Sequence, residues 1–238
     1  MRKCGIMKTL FAAFPVTVPV MLGYLFIGFA FGVLLEQKGY SYFWAALMSI
    51  CVFAGSMQFV TINFLTGGFS LLSVAVMTLV INSRHIFYGL TMLDKFKDIK
   101  KTKKAYLIFS LTDETYALLC TQSVPEGTDK EWFFFFIALL NQIYWVAGSV
   151  IGAVASSLIS FNTMGIDFSM TSLFIVLLVE QLRASRRFAI AAIGAVCAVA
   201  CLIVFGPGAF IPPSLAITAI ALIALKPKIQ ALDKRGDA

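Results

Sequence analysis

Long apolar runs alternate with short polar breaks along nearly all of the 238 residues. A helix needs about 20 apolar residues to cross the hydrocarbon core of a bilayer. On that criterion eight hydrophobic segments are predicted, at residues 10–35, 41–65, 69–93, 105–121, 132–155, 168–183, 188–205 and 208–226. The breaks carry turn-forming residues such as Gly67-Gly68. The pattern predicts an all-α polytopic membrane protein in which residues 1–238 form a single integral membrane domain.

Composition supports insertion into a membrane. Charged residues make up only 13% of the chain, against about 25% in typical soluble domains. The net charge of +7 comes from basic residues in tails and loops, where lysine and arginine keep flanking segments in the cytoplasm, so it does not indicate nucleic-acid binding. The apolar run after the basic N-terminus continues to Leu35, which predicts a retained first span rather than a cleaved signal peptide.

The fourth segment differs from the others, because it is short and carries Asp113 and Glu114 at its centre. If all eight segments cross, eleven positive charges face one side and seven face the other. If the fourth segment enters without crossing, fifteen lie on one side and three on the other, which fits the positive-inside rule better. We therefore predict seven crossings and a re-entrant or strongly tilted fourth segment, with the N-terminus outside and the C-terminus in the cytoplasm.

A weak internal echo suggests a repeat. Gly28 and Gly32, followed by a span with Gln58, resemble Gly148 and Gly152, followed by a span with Glu180-Gln181. Three crossings on each side of the fourth segment would then be inverted copies, a common plan for transporters. Chance similarity explains the echo equally well, since glycines at this spacing also allow helices to pack closely.

Arg84 lies inside the third apolar segment. The free energy of inserting an arginine at the centre of a transmembrane helix is unfavourable by about 2.5–3.5 kcal/mol. Such a side chain is expected to face the protein interior and to have an anionic partner. Asp113 or Glu114 is one candidate, because a buried ion pair needs both charges matched. A substrate carboxylate, bound by both arms of the guanidinium, is another. A permanent salt bridge that only fixes helix packing is the structural alternative.

Three polar residues accompany Arg84 on the same predicted helix. Asn82 and His85 are three residues apart, and Arg84 and Tyr88 are four apart, so each pair shares a face and the two faces adjoin. His85 is the single histidine of the chain, and imidazole exchanges protons near neutral pH. Proton transfer and hydrogen-bonded packing are equally good interpretations of His85.

Asp113 and Glu114 point about 100° apart on a helix, so they cannot meet the same partner. One can pair with Arg84 while the other binds and releases a proton, as a proton-coupled carrier requires. The alternative is an interfacial helix whose acids lie in water. Gln58, in the second segment, needs a hydrogen-bond partner within the membrane, and helix packing and substrate contact account for it equally well.

Signatures of enzymes are missing from the sequence. It has no metal-spaced set of cysteine and histidine, no GxSxG and no P-loop. We therefore predict that the protein is not an enzyme and that it uses neither a metal nor another cofactor.

Six stretches occur in the order found in the AzlC-type branched-chain amino-acid permeases, which the chain resembles over nearly all its length. They are GFAFGVL (28–34), FAGSMQF (53–59), INSRHIFYG (81–89), LTDET (111–115), WVAGSVIGA (145–153) and FSMTSLFIVLL (168–178). The resemblance implies a secondary transporter of the bacterial inner membrane that exports leucine, isoleucine, valine and sometimes methionine. It also implies a small AzlD-type membrane subunit as partner. The residues that match the family motifs are Arg84, His85, Tyr88, Asp113 and Glu114.

The sequence thus predicts a proton-coupled exporter of hydrophobic amino acids. Its candidate substrate-binding or coupling residues are Gln58, Asn82, Arg84, His85, Tyr88, Asp113 and Glu114. A passive channel for small anionic or zwitterionic solutes is a second interpretation, since basic residues in pores select anions. A membrane scaffold without transport is a third.

Overall fold

The computed structural model describes residues 2–159, 188–206 and 216–225, together with residues 175, 178, 179, 182, 210, 213 and 214. The predicted segment at 168–183 lies, apart from single residues, outside this part of the chain. All regular elements of the described residues are α-helices. In chain order they are α1 (Arg2–Gln37), α2 (Tyr42–Cys51), α3 (Gly55–Thr66), α4 (Leu71–Met92), α5 (Lys101–Phe109), α6 (Asp113–Thr121), α7 (Lys130–Leu158), α8 (Phe188–Phe205) and α9 (Ala216–Leu225).

Three described helices are long and apolar enough to cross a bilayer: α1, α4 and α7. They coincide with the predicted segments 10–35, 69–93 and 132–155, which are therefore confirmed as single helices. Shorter apolar helices include α2, α8 and α9. The total number of crossings stays a prediction.

The described residues belong to two compact units. The first lies within residues 1–69 and 81–167, and the second within residues 70–80 and 168–238. All seven candidate site residues belong to the first unit. The single domain predicted for the whole chain stays a prediction.

Within the first unit, α1 and α7 run side by side in the same direction. Near the starts of both helices the backbone N–H of Asp129 donates to Thr9 Oγ1 at 3.5 Å. Near their ends Ser156 Oγ donates to Glu36 Oε2 at 2.7 Å. Two parallel helices do not fit the inverted relationship predicted between these parts of the chain.

The glycines that suggested a repeat form the contact surface between α1 and α7. A Cβ atom added to Gly32 would lie 2.0 Å from the carbonyl oxygen of Ser149, and one added to Gly152 would lie 2.1 Å from that of Phe29. Only glycine allows the two backbones to approach this closely. The close-packing interpretation of the glycine pairs is therefore confirmed.

The second predicted segment is not one helix but a hairpin of two. Helices α2 and α3 are interrupted at residues 52–54, where Phe53 has a φ of 41°, in the left-handed region that β-substituted residues rarely enter. After this break α3 turns back: the Phe53 ring lies 6.5 Å from Tyr24, and the Phe59 ring lies 5.6 Å from Phe31, nearer the end of α1. The prediction of a single span at 41–65 is wrong, because an apolar run of this length also fits two short helices.

The fourth predicted segment is a second hairpin, made by α5 and α6. Lys103, at the start of α5, forms an ion pair of 3.0 Å with Glu131 in the first turn of α7. Lys95, in the loop before α5, donates to the carbonyl oxygen of Cys120 at the end of α6 at 3.2 Å. Both ends of the hairpin therefore lie at the starting end of α7, which is the course expected of a re-entrant segment.

The N-terminus lies at the same end of this unit as the lysine-rich loop of residues 94–104. Thr9 and Lys103 both contact the start of α7, through Asp129 and Glu131 respectively. The prediction that the N-terminus and this loop lie on opposite sides is therefore wrong. The prediction counted the segment at 41–65 as a crossing. Because this segment is a hairpin that returns to the side it came from, two crossings rather than three separate the N-terminus from the loop, and both lie on the same side.

Candidate functional site

The tips of the two hairpins meet beside Tyr24 of α1. We call residues 52–54 the first tip and residues 110–112 the second tip. Phe53 in the first tip lies 6.5 Å, between ring centroids, from Phe109, the last residue before the second tip. Tyr24 contacts both tips, with its ring 6.5 Å from that of Phe53 and its hydroxyl 2.5 Å from Thr112 Oγ1. Interrupted helices leave backbone groups for polar partners or ligands.

Arg84 links the first turns of the two helices that begin after these tips. Its Nη2 donates to Ser56 Oγ in α3 at 2.6 Å, and its Nη1 lies 2.5 Å from Asp113 Oδ2 in α6. The Nε atom is buried and has no hydrogen-bond partner among the described residues. About a third of the arginine side chain (33%) is exposed.

Tyr88 holds the other oxygen of the same carboxylate. Its hydroxyl donates to Asp113 Oδ1 at 2.6 Å, and its ring stacks on Tyr116 with 4.3 Å between centroids. Arg84 and Tyr88, four residues apart on α4, thus bind Asp113 together, in line with the helical spacing in the sequence.

Glu114 faces the opposite way, toward α1. The hydroxyl of Tyr24 lies 2.7 Å from Glu114 Oε2 and forms a hydrogen bond with it. Thr112 caps the start of α6 by accepting from the backbone N–H of Thr115 at 3.2 Å, and their hydroxyls are 2.9 Å apart. Asn141 of α7 donates to Thr115 Oγ1 at 3.0 Å. The two adjacent acids therefore have different partners, as their angular separation on a helix requires.

His85 and Asn82 lie at the edge of this arrangement. The ring of His85 is 5.9 Å from that of Tyr88. The side-chain oxygen of Asn82 is buried and lacks a hydrogen-bond partner among the described residues. The structure thus places both residues on α4 beside Arg84, without joining them to the Arg84–Asp113 pair.

Gln58 lies in a separate, fully buried network. Its Oε1 accepts from Trp145 Nε1 at 2.8 Å, and its Nε2 donates to Ser49 Oγ at 3.2 Å. Ser49 in turn donates to Ser149 at 3.0 Å. Both ends of the Gln58 amide have protein partners, and the network ties both helices of the first hairpin to α7.

Sequence reasoning missed Tyr24 and Ser56. Tyr24 is an ordinary member of an apolar run, and its partner Glu114 is 90 positions away. A signal for the start of α6 was present: Thr112 followed by two acids is a typical N-cap with a negatively charged first turn.

Comparison with known proteins places this arrangement in a family. A family model described as "AzlC protein" matches residues 19–159, which include both hairpins and all seven candidate residues. The chain belongs to the AzlC family. The "Branched-chain amino acid transport protein AzlC" of Bacillus subtilis (strain 168) is 45% identical over 217 residues, 91% of this chain and 85% of the relative.

Other relatives of this AzlC-family chain are described only as membrane proteins. An "Uncharacterized membrane protein" of Helicobacter pylori (strain ATCC 700392 / 26695) is 42% identical, covering 92% of this chain and 95% of the relative. One from Haemophilus influenzae (strain ATCC 51907 / DSM 11121 / KW20 / Rd) is 34% identical, covering 93% and 92%. No solved structure matches the chain.

Proposed function

We propose that the protein exports branched-chain amino acids across the bacterial inner membrane in exchange for protons, together with a small AzlD-type membrane subunit. One observation carries the proposal: Arg84 binds the first turns of α3 and α6 where two hairpin tips meet. Its Bacillus subtilis relative is named a branched-chain amino acid transport protein. Guanidinium groups and helix N-termini both bind carboxylates, and transporters use interrupted helices for this purpose.

In this mechanism the substrate carboxylate replaces Asp113 as the partner of Arg84. About a third of the Arg84 side chain is exposed, so a second carboxylate can approach it before Asp113 leaves. The stacked rings of Tyr88 and Tyr116 adjoin Asp113, and we assign them to the branched side chain.

The remaining candidate residues have supporting roles in this proposal. Gln58 fixes the start of α3 through Trp145, so that Ser56 stays within reach of Arg84. Asn82 offers its unpaired oxygen to the substrate. His85 assists proton exchange beside Tyr88.

We further propose that the N-terminus and the loop of residues 94–104 lie in the cytoplasm. The basic N-terminus, the six lysines of this loop and Lys130 gather at one end of the first unit, whereas Lys38 follows α1 at the other. This distribution fits the positive-inside rule. Each hairpin then enters from one side, the first from the periplasm and the second from the cytoplasm.

Leucine counterflow tests the proposal. Proteoliposomes containing the chain and the small subunit are loaded with unlabelled leucine, and transient accumulation of external labelled leucine is measured. We expect counterflow in the wild type and its loss in Arg84→Ala, because the carboxylate has no cation to bind. Lys103→Ala, which breaks an ion pair away from the tips, is the matched control and should retain counterflow.

Two results would overturn the proposal. Linear leucine flux without counterflow or competition would indicate a pore. Absence of flux from an intact, correctly assembled complex, together with an absence of leucine binding, would indicate a scaffold.

A further inference from the structure

We propose that Glu114 binds the proton that is exchanged for the exported substrate. We further propose that Tyr24 links the protonation of Glu114 to Thr112, the N-cap of α6. The inference rests on the proposed function and assigns its two acids to separate tasks. Asp113 competes with the substrate carboxylate for Arg84, whereas Glu114 alternates between carboxylate and carboxylic acid. The proton comes from water on one side of the membrane and returns to water on the other.

The count of hydrogens around Tyr24 supports a proton on Glu114. Tyr24 has one hydroxyl hydrogen but two close oxygen neighbours, Glu114 Oε2 at 2.7 Å and Thr112 Oγ1 at 2.5 Å. The hydroxyl hydrogen of Thr112 is directed to Thr115 Oγ1 at 2.9 Å. A proton on Glu114 provides the missing hydrogen: Glu114 then donates to Tyr24, Tyr24 to Thr112, and Thr112 to Thr115.

Loss of that proton reverses the chain of hydroxyls. Tyr24 then donates to the Glu114 carboxylate, and Thr112 must turn its hydrogen from Thr115 toward Tyr24 to keep the 2.5 Å contact bonded. Thr112 is also the N-cap of α6. The protonation of Glu114 is therefore linked, through Tyr24, to the residue that fixes where α6 begins.

The charges around Glu114 make proton and substrate compete. Tyr24 faces it from α1, Arg84 from α4 and Asp113 from its own helix, while Asn141 of α7 contacts the neighbouring Thr115 without a titratable group. When a substrate carboxylate replaces Asp113 on Arg84, the substrate ammonium brings a positive charge to the start of α6. A cation there favours the ionised form of Glu114, so substrate binding releases the proton from Glu114. The substrate and the proton therefore occupy the protein in turn and cross the membrane in opposite directions.

The test is leucine-linked proton release from the purified complex in weakly buffered detergent, followed with a pH-indicator dye. We expect leucine to release protons from the wild type but not from Glu114→Gln, whose amide resembles the protonated acid. Leucine is supplied at concentrations that saturate the variant, as checked by equilibrium binding, and in proteoliposomes its flux driven by a pH gradient should fall by about tenfold or more.

Tyr24→Phe provides the second variant, because it keeps the ring and removes the hydroxyl. We expect slower gradient-driven flux with counterflow retained. The matched control is Tyr144→Phe, which removes another buried hydroxyl bonded to α1, at 3.0 Å from Thr17, and should behave as the wild type. Undiminished proton release in Glu114→Gln, or equal behaviour of the two tyrosine variants, would overturn the assignment. A wild type without counterflow would instead refute the proposed function.

Discussion

Asp113 and Glu114 are consecutive residues whose carboxyl groups bind different helices, the first to Arg84 and Tyr88 of α4 and the second to Tyr24 of α1. The start of α6 is thus connected by these two acids to both α4 and α1. Substitution of either acid is expected to have a different effect.

We predict that Asp113→Asn strengthens leucine binding while it slows transport. The substrate carboxylate no longer competes with Asp113 for Arg84, so it binds more tightly. Transport slows because no carboxylate of the protein displaces the substrate from Arg84 at the end of the cycle. Removing one partner of a partly exposed ion pair should also destabilise the fold by about 1–2 kcal/mol. Equilibrium leucine binding and thermal unfolding in detergent measure both effects. Glu131→Gln, which breaks the Lys103 pair, is the control, and weaker leucine binding by Asp113→Asn would contradict the exchange mechanism.

Gly32→Ala is predicted to destabilise the contact between α1 and α7. The new methyl group would lie 2.0 Å from the backbone oxygen of Ser149, and the separation of the helices should cost about 1–3 kcal/mol. Gly23→Ala is the matched substitution on the same helix, where a Cβ atom meets nothing within 4 Å. Thermal unfolding in detergent should distinguish the two variants. Equal unfolding temperatures would argue against the close packing.

Gln58→Leu should reduce stability more than it reduces substrate affinity. The substitution leaves the buried Trp145 Nε1 and Ser49 Oγ without this partner, and an unsatisfied buried donor costs about 1–3 kcal/mol. Thermal unfolding and equilibrium leucine binding separate the two effects. A large loss of leucine affinity in a variant of normal stability would instead place Gln58 in contact with substrate.

Single-cysteine labelling tests the orientation of the hairpins. We expect that in intact cells an impermeant maleimide fails to label a variant that retains only Cys4, and also a cysteine-free background carrying Thr102→Cys. Ser41→Cys and Ser70→Cys, which flank the first hairpin, should both be labelled. Opposite labelling of Cys4 and Thr102→Cys would refute a common side for the N-terminus and the lysine-rich loop.

The long helices and the central ion pair could be predicted from sequence for simple physical reasons. An apolar run long enough to cross a bilayer forms a helix because its backbone has no other source of hydrogen bonds, and α1, α4 and α7 follow this rule. A charged side chain in such a run needs a partner, and few acids lie in apolar surroundings. A pairing of Arg84 with Asp113 or Glu114 follows from that scarcity, and the structure shows that the partner is Asp113.

The first hairpin could not be predicted in the same way. Hydropathy measures how apolar a run is, and the run at 41–65 is apolar enough whether it crosses once or turns back at Phe53. The second hairpin carries a signal that hydropathy ignores, the N-cap at Thr112. The role of Tyr24 depends on contacts with both tips, and neither contact has a local sequence signature.

In the proposed orientation, the meeting of the two tips also determines where the membrane voltage acts. Hairpins that enter from opposite sides leave only a few residues between the two aqueous phases, and we expect most of the electrical field to fall across that thin layer. One elementary charge moved through the whole field exchanges about 2.3 kcal/mol per 100 mV. Arg84 and Glu114 lie beside these tips, so even a small movement of charge there would be driven by much of the cell's membrane potential.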